Sequence, residues 1–163
     1  MLRNHLVTTW QSIWMMSHKH LRRFLQAQND GAPSVYDSAI AELVSGGKTG
    51  HWIWFVLPQL ADLGHSETAQ RYGIADLAEA RAYLADPLLR QRLEVVIRVI
   101  NDQLSQPGQS LERLMGSELD ASKTISSLTL FEASGLESAA VLLDQIGLLR
   151  CGSTLEQLRR VQS

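Results

Sequence analysis

Residues 86–104, DPLLRQRLEVVIRVINDQL, constrain the fold more than any other stretch of the chain. Asp86 suits an N-cap, and Pro87 suits the first helical position, where a missing N–H leaves nothing unpaired. Behind them Leu89, Leu93, Val96, Ile97, Ile100 and Leu104 recur at three- and four-residue steps, the stripe of a helix with one buried face. Arg90, Glu94, Arg98 and Asp102 form an i,i+4 ladder of alternating charge that reads as the solvated face.

Helix signals dominate elsewhere, and strand alternation is nearly absent. Leu6, Trp10, Ile13, Trp14, Leu21, Phe24 and Leu25 keep helical spacing, with Ser17 placed to cap a fresh helix over 18–28. Asp30, Gly31 and Pro33 make a turn before a helix over 35–45 capped by Ser34. Ser66 and Glu67 start a short helix that reaches Tyr72, and Asp76 with Glu79 forms a capping box for one ending near Ala85. Past the Gln106-Pro107-Gly108 loop, Ser110 opens a short turn, and Asp120 is the expected cap of a helix through about Ser134. Leu136, Ala139, Ala140, Leu143 and Ile146 share a face of the next helix, and Ser153 to Glu156 begins the last. The expectation is all-α: one compact domain over residues 1–163, of about seven or eight short, unequal helices, not an up-and-down bundle. Met16 offers a second start, so residues 1–15 read as an N-terminal extension and 16–163 as the core.

The motif-like string Gly46-Gly47-Lys48-Thr49 spells the end of a phosphate-binding loop. The full pattern needs an earlier glycine where Glu42 stands, and a strand before it where the spacing of Val35, Tyr36, Ala39, Ile40, Leu43 and Val44 is helical. The two glycines therefore read as the end of a helix, not as a phosphate cradle.

Composition narrows the partners. A net charge of −2 gives no global case for nucleic acid, and the basic residues are scattered apart from the patch 18–23. The longest apolar run, residues 52–58, is far too short to cross a bilayer, and the N-terminus lacks the clean apolar region of a signal peptide. The expected place is the cytoplasm, which a single cysteine also fits. The histidines have no third ligand at metal spacing, and no cofactor or metal is implied. Cys151, following an apolar helix, reads as a small packing residue.

Two stretches could carry chemistry. In KTGHWIWFVLPQL (48–60), Lys48 can attract an anion, His51 can act as acid, base or donor, and Trp52 or Trp54 can stack on a flat ligand, with Gln59 beside them. In DASKTISSLTLF (120–131), Lys123 stands among Ser126, Ser127 and Thr129, hydroxyls that compete with a helix backbone unless they back-bond or face a ligand. Arg71 and Tyr72 form a smaller group of the same kind.

These strings, with RFLQAQ (23–28) and YGIADLAEARAYLADPLLRQRL (72–93), resemble the bacterial family called domain of unknown function 1810 over about residues 22–158. Departures from the family pattern are Gly73 for a usual alanine, Asp86 for a common histidine and Thr124 for a common apolar residue. The resemblance implies an all-helical fold and no assigned reaction. Members are sometimes labelled calpastatin; calpain inhibitors are largely disordered, whereas this composition suits a packed core. Two functional expectations follow. In one, the two stretches meet in a site for a small anionic or nucleotide-derived ligand, with His51 as the catalytic candidate. In the other, the chain is a non-catalytic helical interaction module that forms a homodimer or docks a partner through Trp10 and Trp14 on the extension.

Overall fold

The computed structural model describes Gln11, Met15 and residues 20–147 and 149–161. Among them the chain forms ten α-helical segments, one 3-10 turn and no strand. They are α1 (20–29), α2 (Val35–Val44), α3 (Ile53–Val56), the 3-10 turn (Ala61–Leu63), α4 (Glu67–Tyr72) and α5 (Leu77–Ala85). After these come α6 (Pro87–Leu104), α7 (Leu111–Met115), α8 (Glu118–Ala133), α9 (Glu137–Gln145) and α10 (Gly152–Val161). The number exceeds the expected seven or eight because α3 and α7 run for only four and five residues, too short to print a helical period. No described helix is long and apolar enough to cross a membrane. The N-terminal segment with Trp10, Trp14 and the Ser17 cap lies outside the described residues, apart from Gln11 and Met15.

Local rules explain most boundaries. Asp86 accepts from the N–H groups of Leu88 and Leu89, both at 3.0 Å, with Pro87 in the first turn. Asp76 caps Glu79 at 2.8 Å, and the Glu79 carboxylate reaches back to the N–H of Ala75 at 2.7 Å. α8 differs from expectation at its start. Ser117, not Asp120, accepts the capping N–H, from Asp120 itself at 3.1 Å, which frees the Asp120 side chain for other partners. α2 ends in a Schellman motif: Gly47 donates to Glu42 O at 3.1 Å and Gly46 to Leu43 O at 3.0 Å, with Gly46 at φ +92°. The glycines of the G-G-K-T string thus close a helix.

α8 is the hub, packed by α3, α5, α7, α9 and α10. Ala121, Thr124, Ser126, Ser127, Leu128, Thr129, Leu130 and Phe131 are all buried in it, so it hides most of its circumference. α6 buries the single stripe its sequence shows, against α2, α5, α7 and α9. The core centres on Tyr83, whose ring meets Phe24 edge-on at 5.2 Å and Phe131 at 5.0 Å. Gln28, 1% exposed, donates to Phe55 O at 2.8 Å and accepts from Arg92, tying α1 to the end of α3.

The segment after α3 is pinned to the segment after α4 by a single parallel bridge. Ala61 donates to Ile74 O at 2.9 Å and Ile74 to Gln59 O at 2.8 Å. This folds the 3-10 turn onto α4 so closely that a Cβ on Gly64 would lie 2.4 Å from the Ala69 Cβ. That close approach forms one wall of the site.

Candidate functional site

The two motif stretches meet through a carboxylate. Lys48 Nζ lies 2.6 Å from Asp120 Oδ2, and Lys123 Nζ lies 3.1 Å from Asp120 Oδ1. The three side chains are only 6, 15 and 17% exposed for Lys48, Lys123 and Asp120 respectively. Burial pushes the Asp120 carboxyl up, but the two ammonium groups outweigh it and hold the acid below its usual range. The Lys123 ammonium also sits 4.0 Å from the centroid of the Trp54 ring, and that of Lys48 5.4 Å from Trp52.

A second carboxylate organises the turn before α3. Glu42 Oε2 accepts from Thr49 N (2.8 Å), Gly50 N (2.9 Å) and Trp52 Nε1 (2.7 Å). Burial raises this acid too, yet the Gly50, Thr49 and Trp52 donors bring it below its ordinary value. Glu42 occupies the place where a phosphate loop would carry its first glycine, and it already takes the N–H groups that an anion would need.

Beyond Lys123 lies a cleft of about 520 Å³ between α3, the 3-10 turn, α4, α8 and the start of α10. Its walls carry Trp54, Gln59, Lys123 and Ser126, together with His65, Cys151 and Ser153. Ser126 and Thr154 share a buried hydrogen bond of 2.9 Å, which docks α10 on α8. The chain just before α10 is held firmly: Cys151 N donates to Thr129 Oγ1 at 3.0 Å, and Arg150 forks onto Glu132 at 2.7 and 2.9 Å. Burial raises the half-buried Cys151 thiol, but the Thr154 side chain and N–H, Ser126 and the Ser153 N–H bring it below its ordinary value.

The sequence-predicted residues divide into groups. Trp54, Gln59, Lys123 and Ser126 line the cleft together. Lys48 and Trp52 stand behind it, one in the ion triad and the other 2% exposed in the core. Ser127 is fully buried, with an Oγ that has no hydrogen-bond partner. His51 is exposed on the turn before α3 and does not line the cleft. Arg71 faces a different cleft, with His20 and Arg23, and its guanidinium sits 5.3 Å from the Tyr72 ring centroid. The hydroxyl run resolves both ways: Thr124 and Thr129 back-bond to Asp120 O and Ile125 O, whereas Ser126 faces the cleft. The sequence reading did not assign His65, Cys151 or Ser153 to this place. The signal for Cys151 was its position just ahead of Ser153 and Thr154 at a helix start, where a thiol gains donors.

The profile of the family described as Protein of unknown function (DUF1810) matches residues 18–148. The chain belongs to the DUF1810 family. The match includes Trp54, Gln59, Lys123 and Ser126 and stops short of Cys151. The conserved hypothetical protein Rv1873 from Mycobacterium tuberculosis, known from a crystal structure at 1.38 Å, is 41% identical. That likeness covers 85% of this chain and 96% of Rv1873, with a TM-score of 0.75. No curated protein is significantly similar. Within DUF1810, then, the fold is shared and the chemistry must be argued from the site.

Proposed function

We propose that this DUF1810 chain binds a small molecule with an anionic group and a flat or apolar part in the cleft between α3, α8 and α10. The observation that carries this reading is the charge of the lining. The cleft lining includes Lys123 and no carboxylate, whereas three other clefts of similar size each carry two: Glu112 and Glu118, Glu94 and Glu137 offset by Arg90 and Arg98, and Asp76 and Glu79 offset by Arg23 and Arg71. Behind the wall, two ammonium groups share the one carboxylate of Asp120, so the triad holds a positive charge that its own members leave uncompensated. Trp54, Leu63 and Leu119 supply apolar surface, and the Gln59 amide with the hydroxyls of Ser126 and Ser153 supplies polar contacts. His51 is the less favoured candidate for a catalytic group, since it lies off this cleft.

The test is a thermal-shift series with nucleotides, NAD, ADP-ribose and sugar phosphates on wild type, Lys123→Met and Trp54→Leu. A ligand that binds only the folded state stabilises it by about 2.7 kcal/mol at a hundredfold excess over its Kd. The expected result is a rise in Tm for wild type that is lost in Lys123→Met and reduced in Trp54→Leu. A rise that survives both substitutions would place the ligand elsewhere and end this reading.

A further inference from the structure

Lys48 carries the charge of the G-G-K-T string, yet it does not line the cleft, and its side chain is only 6% exposed. The chain around it is fixed. Its own N–H donates to Leu114 O at 2.8 Å, and Glu42 holds the next two N–H groups, of Thr49 and Gly50, at 2.8 and 2.9 Å. From this clamped turn the ammonium reaches Asp120 Oδ2 at 2.6 Å, while Lys123 takes the other oxygen at 3.1 Å.

The two ammonium groups are not equivalent. Lys48 has the shorter bond and the less exposed side chain, and it comes from a segment 72 positions away in sequence. Lys123 stands three residues from Asp120 on α8, has the longer bond, and lines the cleft with Trp54, its ammonium 4.0 Å from that ring. Asp120 and Lys123 alone would form a neutral i,i+3 pair, an ordinary arrangement on a helix. Lys48 changes that balance. Burying a further charged group costs desolvation, and neutralising Asp120 does not require it, because Lys123 is already in reach. What the second lysine adds is one positive charge beyond the pair, and Lys123 is the member that presents it to the cleft.

We propose that Lys48 is a positioning residue for the anion site. It engages Asp120 so that the Lys123 ammonium keeps an uncompensated charge toward the cleft, and it does so without touching the ligand. The inference rests on the anion-binding reading of the cleft and assigns part of its strength to a residue outside the lining. The triad carries one positive charge in wild type, none in Lys48→Met, and one again when Asp120→Asn is added to Lys48→Met.

The probe is iodide, an anion that quenches tryptophan on contact, compared with acrylamide, which is neutral. Trp54 is half-buried in the cleft, and its share of the emission is the part lost in Trp54→Phe, made in each background. The readout is the iodide-to-acrylamide ratio of quenching constants on the full chain at low, constant ionic strength, with free N-acetyltryptophanamide as the reference. Wild type and Lys48→Arg are expected above the reference, and Lys48→Met should fall toward it by about threefold. The double variant Lys48→Met/Asp120→Asn should return to the wild-type ratio. A loss of packing would move the acrylamide constant as well, whereas a change of charge moves iodide alone. With wild type above the reference, three results overturn the inference and leave the anion reading standing. They are a Lys48→Met ratio equal to wild type, a fall that acrylamide shares, and a double variant as low as Lys48→Met. A wild-type ratio no higher than the reference overturns both.

Discussion

Gly64 and Gly73 have backbone angles open to any residue, φ −127° and φ −64°, yet neither has room for a side chain. Gly73 would put a Cβ 2.3 Å from Ala61 Cα, and Gly64 would put one 2.4 Å from Ala69 Cβ. The demand is for space, so it leaves no mark in local conformational preference. Gly64→Ala is expected to destabilise the protein by about 1–3 kcal/mol through overpacking. Its obstacle is one methyl group, since the Ala69 Cα would lie at an ordinary 3.7 Å. Adding Ala69→Gly should therefore recover part of the loss, even though glycine inside α4 costs about 1 kcal/mol by itself. Urea unfolding of the four proteins in the double-mutant cycle gives the coupling; strict additivity would mean that the two groups do not collide.

At the scale of elements, the Asp120 carboxylate joins the start of α8 to the loop after α2. The cap expected from the sequence is Asp120, but serine is an equally good N-cap residue. Ser117 takes the N–H, and Asp120 turns toward Lys48 because that ammonium, 6% exposed, has to be neutralised away from water. Asp120→Asn leaves the ammonium without its counter-charge and should cost about 3 kcal/mol, the range for breaking a buried pair. Adding Lys48→Met removes the stranded charge, so the double variant should be more stable than Asp120→Asn alone by chemical denaturation. If Asp120→Asn unfolds at the wild-type urea concentration, the triad contributes little to the link between these elements. The hydroxyls of α8 teach a similar lesson. Whether a helical serine back-bonds or faces a cleft depends on which helix packs over it, and α10 arrives from far along the chain to meet Ser126.

For the whole molecule, Glu42 and Asp120 set the response to acid. Both are held below their ordinary values of 4.5 and 3.8 in the folded chain, against the opposing effect of burial. The unfolded chain therefore binds protons first as pH falls, and stability falls with it. The stabilisation from both groups is complete above their unfolded values and is lost as pH drops through the lower folded ones. Urea midpoints should be flat from neutral pH to about pH 5 and then decline. Glu42→Gln should be less stable than wild type at neutral pH, with the gap narrowing in acid. A gap that stays constant with pH would mean that the Glu42 charge is not what holds Thr49, Gly50 and Trp52.

The sequence by itself determined the helical class, the 86–104 helix with its cap and stripe, and the end of α2 at Gly46–Gly47, because these depend on neighbours within a few residues. It also determined that the two motif stretches hold the unusual side chains. Only the tertiary structure decided which of them meet. Lys123 and Trp54 come together 69 positions apart in sequence, Cys151 joins them from a later element, and His51 turns outward although it sits three residues from Trp54. Local propensity acts over one or two turns of chain, whereas a cleft forms where packed helices leave space between them, and no residue carries that information alone.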